Sequence, residues 1–176
     1  MIKLIIILLL SLNTLYCSEQ SNKVFNIANS YVGVTEVKPN SSPIVDKFIK
    51  HLGLKPGINW CACFVTYCLD SAKTKNVPKT ALAQRFITKK SIKSSNVLYS
   101  NMEIPKGSIV IWKRGKTIFG HVGFTNIWKG NKGTTIEGNT SPDYSNNQYN
   151  GHGVYNKKRF INPLNYFRIT NFTTYE

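Results

Sequence analysis

The sequence predicts an α+β domain in which helices come first and an antiparallel sheet follows. Apolar residues recur at helical spacing in the first half of the chain. The second half holds short segments rich in β-branched and aromatic residues, separated by Gly, Asn and Pro. Helices followed by consecutive strands favour an antiparallel sheet. We therefore expect N-terminal helices packed on a sheet of about five to six strands, in a single domain over residues 18–176.

Four segments with helical apolar spacing predict helices, namely Val24–Val32, Pro43 to about Leu52, Trp60 to about Lys73 and Thr80 to about Lys90. Ser41 or Ser42 is expected to cap the second helix, and Asn59 the third. A loop should follow through Asn101. Five later segments predict strands, namely Gly107–Lys113, Gly120–Trp128, Gly133–Asn139, Gly153–Phe160 and Asn165–Phe172. The stretch "WKGNKGT" predicts a hairpin between the second and third strands.

The first 17 residues are typical of a signal peptide. One lysine precedes an unbroken apolar run from Leu4 to Leu10, and more polar residues lead to Cys17. The run is far shorter than the roughly 20 residues that span a bilayer, and no second apolar stretch could cross a membrane. We expect residues 1–17 to be removed and the protein to be secreted, periplasmic or held in the cell envelope; the alternative is an uncleaved anchor or a buried first helix. A lipid anchor on Cys17 is disfavoured because the three preceding residues suit lipoprotein processing poorly.

The chain is strongly basic, with 23 Lys and Arg, 8 Asp and Glu, and a net charge of +15. This charge suits polyanionic surroundings such as nucleic acid, anionic lipid or an anionic cell wall, although solubility and an AT-rich genome explain it equally well. The basic residues are scattered, and the sequence has no zinc-finger spacing or RNA-binding aromatic motif. We therefore expect no specific nucleic-acid partner, and we expect a monomer.

Three cysteines, Cys61, Cys63 and Cys68, fall within the third predicted helix, in "INWCACFVTYCLD". On one helix these spacings cannot reach disulfide geometry, and the thiols lie on different sides, which disfavours a zinc site. Only Cys61 lies in the first turn, where unpaired N–H groups and the helix dipole favour a thiolate nucleophile. Cys63 and Cys68 are interpreted as buried packing residues.

A base for Cys61 must come from one of three histidines. His51 ends an amphipathic helix, where solvation is expected, and His152 lies between glycines in a predicted turn. His121 opens a strand in "FGHVGF", and its flanking glycines leave room for another group to approach. His121 is therefore the preferred base.

The predicted hairpin supplies a third group for this site. A turn around Gly130 and Asn131 places His121 beside the strand end that holds Glu137 and Asn139. These residues are two apart, so both are expected to project from one face, where one or both can accept from the imidazole. The alternative for Glu137 is a solvated strand position, because the register decides which face it occupies.

Four blocks occur in an informative order and spacing: "NWCACFVTYCL", "GSIVIW", "GHVGFT" and "IEGNTS". With the upstream "IANSYVGVTEV" and "PIVDKFIKHLG", they resemble CHAP domains (cysteine, histidine-dependent amidohydrolase/peptidase) of the NlpC/P60-like, papain-related cell-wall hydrolases. The resemblance runs from about Asn26 to Phe160 and implies a papain-like fold. It also implies Cys61 as nucleophile, His121 as base, and Glu137 with Asn139 as the residues that orient the histidine.

This resemblance implies cleavage of a peptidoglycan amide, either the N-acetylmuramoyl-L-alanine bond or a peptide bond of the stem or cross-bridge. Trp60, Glu36 and Tyr144 are candidates for substrate binding, and core packing is the alternative for Trp60. No metal or organic cofactor is expected. The alternative functions are a cysteine protease or toxin that acts on proteins, and a secreted basic binding module without catalysis.

Overall fold

The computed structural model describes residues 19–142 and 151–175. The predicted signal peptide with Cys17, and the candidate Tyr144, lie outside the described residues. The helices of the described part are α1 over residues 19–29, α2 (Pro43–Lys50), α3 (Cys61–Ser71) and α4 (Ser94–Ser100), with a short 3₁₀ helix at Ala83–Phe86. None of the helices within these two ranges has the length and apolar character needed to span a membrane.

Within residues 19–142 and 151–175, seven strands form one antiparallel sheet with the order β1-β7-β3-β4-β5-β6, and β2 pairs with β4. The strands are β1 (Ile92–Lys93), β2 (Glu103–Ile104), β3 (Ile109–Arg114), β4 (Gly120–Lys129), β5 (Lys132–Thr140), β6 (Gly153–Phe160) and β7 (Phe167–Thr173). The predicted α+β class and all five predicted strands are confirmed. The two-residue strands β1 and β2 raise the number above the expected five to six.

The start of α2 follows its sequence signals. Ser42 Oγ accepts from the backbone N–H of Val45 at 3.3 Å, and Pro43 occupies the first turn. The start of α3 differs from the prediction, because Trp60 rather than Asn59 occupies the N-cap and gives no side-chain cap. Asn59 Oδ1 instead accepts from Asn139 Nδ2 at 3.4 Å. The cap assigned to Asn59 is therefore wrong.

The helix predicted from Thr80 to Lys90 is also wrong, since only the 3₁₀ helix forms there. Thr80 Oγ1 accepts from the backbone of Leu82, and Thr88 Oγ1 accepts from the backbone of Lys90. Such local side-chain bonds compete with helical hydrogen bonds. The predicted loop through Asn101 was wrong as well, because it contains β1 and α4.

The sheet separates two clusters of buried side chains. Ile109 and Ile111 of β3 pack with α1, α2 and α3, whereas Val110 and Trp112 pack in the second cluster, which includes Val97 of α4. Alternation along β3 therefore assigns the two clusters to opposite faces. The buried face of α3 lies across β4 and β5, which sets the beginning of this helix close to the strands that carry His121 and Glu137.

Candidate active site

Cys61 is the first residue of α3, so its backbone lies at the positive end of the helix dipole. The first turn contains no acidic residue that would offset this field. Cys61 is 7% exposed, and its side chain is close enough to His121 to raise the pKa of the imidazole. The thiol therefore combines restricted solvent access with a neighbouring imidazole.

The other two cysteines have a different environment. Cys63 and Cys68 are fully buried, and none of the three cysteines in the described residues forms a disulfide. Burial, with the nearby Cys61, raises the pKa of Cys63 to about 12, and burial raises the pKa of Cys68 as well. Both thiols are therefore held protonated and inert inside the core.

The β4–β5 hairpin brings His121 and Glu137 together. Lys129 lies opposite Lys132 and Trp128 opposite Gly133, as the turn predicts, but a register shift between Thr125 and Trp128 then places Phe124 opposite Ile136. Nε2–H of His121 donates to Glu137 Oε2 at 2.9 Å. His121 is 5% exposed and Glu137 is fully buried, so the alternative of a solvated Glu137 is wrong.

Gly123 of β4 makes room for the Glu137 side chain. A Cβ atom at Gly123 would lie 2.6 Å from Glu137 Cγ, which is too close for any real contact. The absence of a side chain at this position therefore allows the carboxylate to lie across β4 and reach His121.

The Glu137 carboxylate is held by further donors. Arg159 Nε donates to Oε1 at 2.7 Å, Arg159 Nη2 donates to Oε2, and Thr135 Oγ1 donates to Oε1. Burial by itself would raise the pKa of this carboxyl. The charge and N–H groups of Arg159, together with His121, outweigh burial and hold the pKa of Glu137 well below its usual range.

The imidazole is tuned by its two neighbours. Burial by itself lowers the pKa of His121, because it disfavours the charged ring. The hydrogen bonds and negative charges of Cys61 and Glu137 outweigh this effect and raise the pKa of His121 to about 9. The arrangement therefore favours a protonated imidazole at neutral pH.

The remaining predicted site residues have other local roles. A register shift between Glu137 and Thr140 and a φ of 54° at Asn139 interrupt the alternation of β5. The prediction that Glu137 and Asn139 project from one regular strand face is therefore wrong. The described hydrogen bond of the Asn139 side chain joins it to Asn59.

Trp60 is fully buried and packs against Phe48 and Phe64, with ring centroids 5.9 and 6.5 Å away. Its Nε1 donates to Glu36 Oε1 at 2.7 Å, and Glu36 Oε2 accepts from the backbone of Asn40. The packing alternative thus describes the observed environment of Trp60, and its role in substrate binding stays a prediction. Glu36 supports Trp60 from outside the core.

Sequence reasoning missed Arg159, Thr135 and Trp112. The Trp112 ring lies 5.3 Å from the His121 ring, and the guanidinium of Arg159 lies 5.4 Å from the Trp112 ring centre. The pairing of Trp112 with His121 on neighbouring strands could have indicated the first contact. No comparable short-range signal indicates Arg159.

The other two histidines have partners of their own. His51 Nε2 lies 2.8 Å from Asp70 Oδ2 at the surface, and His152 Nε2 lies 2.9 Å from the Tyr155 hydroxyl. In the described part of the chain, no three His, Cys, Asp or Glu residues are grouped so that they could hold a metal ion.

Comparison with known families identifies the fold around this cluster. Residues 53–139 match the model of the CHAP domain. Residues 53–139 are therefore identified as a CHAP domain. CHAP domains are papain-like cysteine peptidases and amidases, which fits the α+β architecture described above. The matched range of this CHAP domain contains Cys61, His121 and Glu137, whereas Arg159 lies beyond it. No curated protein and no solved structure gives a significant match to the chain.

Proposed function

We propose that this CHAP domain hydrolyses an amide bond of peptidoglycan, with Cys61 as nucleophile, His121 as general base and acid, and Glu137 as the residue that orients His121. One observation carries the proposal: His121 lies close to Cys61 at the start of α3 while its Nε2–H is held by the buried Glu137 at 2.9 Å. A nucleophile, a base and an orienting acceptor in this relation are the requirements of thiol-dependent acyl transfer.

The proposed reaction begins with transfer of the Cys61 thiol proton to the imidazole. Because Nε2 is engaged by Glu137, Nδ1 is the ring nitrogen that remains for Cys61. The thiolate attacks the amide carbonyl, and the imidazolium then protonates the leaving amine as the C–N bond breaks. Water, deprotonated by the same imidazole, attacks the thioester and releases the acid and the free thiol.

Charge that develops on the carbonyl oxygen needs hydrogen-bond donors. The backbone N–H of Cys61 at the beginning of α3 is the donor that we propose, because the helix dipole favours negative charge there. Trp60 gives α3 no side-chain cap that would compete for this first turn. The reaction uses the chain's own residues, and we propose no metal or organic cofactor.

Peptidoglycan is the substrate class that the family and the charge support together. CHAP domains include cell-wall amidases and endopeptidases, and a net charge of +15 favours binding to an anionic wall. We propose that residues 1–17 direct the protein out of the cytoplasm and that residues 18–176 act as a single catalytic domain. The bond cleaved is either the muramoyl-L-alanine amide or a peptide bond of the stem or cross-bridge.

The test is digestion of purified peptidoglycan by the wild type, by Cys61→Ala and by Cys63→Ala. Cys63 lies two residues away, is fully buried and serves as the matched control. We expect muropeptide release, with new free amino groups, from the wild type and Cys63→Ala, and none from Cys61→Ala. Mass spectrometry of the fragments then identifies the bond. Unchanged peptidoglycan after treatment with the folded wild type would refute this function, and cleavage of protein substrates alone would favour a protease.

A further inference from the structure

A pocket of about 600 Å³ opens between β6 and β7. This volume lies within the range of about 300–1,000 Å³ that small-ligand sites occupy. We call it the cationic pocket. Its lining includes three basic and two aromatic residues, namely Lys158, Arg159, Arg168, Trp112 and Phe167.

The cationic pocket begins at the side chains that surround the candidate catalytic histidine. The rings of Trp112 and Phe167 lie 5.3 and 6.5 Å from the His121 ring, centroid to centroid. Arg159 borders the pocket and also holds the Glu137 carboxylate. The pocket therefore shares Trp112, Phe167 and Arg159 with the surroundings of the His121–Glu137 pair.

The chemistry of the walls favours an anion. Lys158, Arg159 and Arg168 are basic, and no acidic side chain occurs among the described residues that line the pocket. Arg168 Nη1 donates to the backbone of Asn165 at 3.2 Å. Because a guanidinium has five N–H donors, Arg168 retains donors that a ligand can use. Guanidinium groups match carboxylates in geometry and charge.

The aromatic walls distinguish between kinds of anion. Phe167 and the largely buried Trp112 add apolar surface to the lining beside the guanidinium groups, so a ligand with an aliphatic portion next to its charge fits better than a bare phosphate. The peptides of peptidoglycan carry carboxylates on aliphatic side chains and at chain ends.

We propose that the cationic pocket is a substrate subsite that binds a carboxylate of the peptidoglycan peptide while the scissile amide lies at Cys61. This inference rests on the proposed function and adds the part of the substrate that is recognised. Arg168 is the residue on which it depends most, because Arg159 already serves Glu137.

The test measures binding in the Cys61→Ala protein, which is not expected to turn over its ligand. The probes are a soluble muropeptide with free carboxylates and the same muropeptide with these carboxylates amidated. We expect Arg168→Gln to raise the dissociation constant of the free acid about tenfold, as for loss of a charged hydrogen bond. Amidation should have a similar effect on the unaltered pocket and little further effect on Arg168→Gln. Arg85→Gln, an equal change of charge at an exposed position outside the pocket lining, should have little effect.

Equal dissociation constants for Arg168→Gln and Arg85→Gln would overturn the subsite. Equal binding of the free and amidated muropeptides would also overturn it, and this comparison needs no variant in the pocket to fold. Glycerol phosphate that competes as effectively as the free-acid muropeptide would assign the pocket to phosphate instead. Muropeptide release by the wild type is measured separately, so an active enzyme without carboxylate selectivity would refute the subsite and leave the proposed function intact.

Discussion

Replacing Glu137 by Gln removes one buried charge beneath His121 and keeps the size of the side chain. In the native protein both carboxylate oxygens accept hydrogen bonds, from His121, Thr135 and two nitrogens of Arg159. An amide has only one oxygen, so at least one donor loses its acceptor. The charge of Arg159 also loses its carboxylate counter-ion in a site where its side chain is only 18% exposed.

The effect of Glu137→Gln on the pKa of His121 can be calculated approximately. Its pKa is about 9, against an ordinary value of 6.5. At about 1.4 kcal/mol per pH unit, this difference corresponds to roughly 3 kcal/mol that favours the imidazolium. Cys61 and Glu137 share the effect. We therefore expect Glu137→Gln to lower the pKa of His121 by about one pH unit or more, and kcat by about 10²-fold or more.

The assay is an NMR titration of the His121 imidazole, together with the pH dependence of peptidoglycan cleavage. The alkaline limb of the wild-type profile should follow loss of the imidazolium near the pKa of about 9 and should move to lower pH in Glu137→Gln. Glu103→Gln is the matched control, because Glu103 is exposed and pairs only with Lys129 among the ion pairs of the described residues. An unchanged pKa of His121 in Glu137→Gln would refute the reasoning.

Arg159→Met should destabilise the fold by about 3–5 kcal/mol in urea unfolding, because it removes the guanidinium that pairs with the buried Glu137 carboxylate. Arg85→Met should cost under about 0.5 kcal/mol, and equal losses would contradict the role of Arg159. Gly123→Ala should lose about 10²-fold in kcat, because the added methyl would lie 2.6 Å from Glu137 Cγ and 2.7 Å from the Ile136 carbonyl oxygen and so displaces Glu137 from His121; full activity would refute this role of Gly123. The folded pKa of His121, about 9, exceeds the ordinary value of 6.5. The contribution of His121 to the free energy of unfolding is therefore complete below about pH 6.5 and is lost as the pH rises through about 9. The urea midpoint of the wild type should fall over this interval. An equal fall in His121→Ala would exclude His121 as the cause.

The neighbourhood of His121 and Glu137 could be predicted because both lie on one hairpin, with a turn at Gly130 and Asn131 between two strands of clear β character. The register at the site could not be predicted, because a shift between Thr125 and Trp128 changes the pairing that the turn sets, and a one-residue shift decides which face a side chain occupies. The start of α3 was predicted within one residue, which was sufficient to distinguish Cys61 from the two cysteines that follow.

The role of Arg159 could not be predicted, because it ends a run of three basic residues that the sequence makes equivalent. Lys157 is buried, and its Nζ donates to the carbonyls of Ser141 and Pro142. Lys158 is exposed, and Arg159 holds Glu137. The three residues differ only because β6 pairs with β5, and this pairing joins residues that are distant in sequence.

Two local errors have physical causes. Between Thr80 and Lys90, hydroxyl groups bond to nearby backbone N–H groups and replace the helix that the apolar spacing predicted. At Asn139 the irregular end of β5 breaks the alternation on which the shared role with Glu137 depended. The spacing of apolar and polar residues in the sequence does not indicate either of these local features.

The central claim is that Cys61 attacks the amide and carries the acyl group. The most direct measurement is the mass of the protein after acid quench of a single-turnover reaction with a soluble muropeptide substrate, followed by peptide mapping. The account predicts an acyl adduct on the peptide that contains Cys61 in the wild type and in Cys63→Ala, and none in Cys61→Ala. Cleavage of the muropeptide by Cys61→Ala at the wild-type rate, without an adduct, would contradict it.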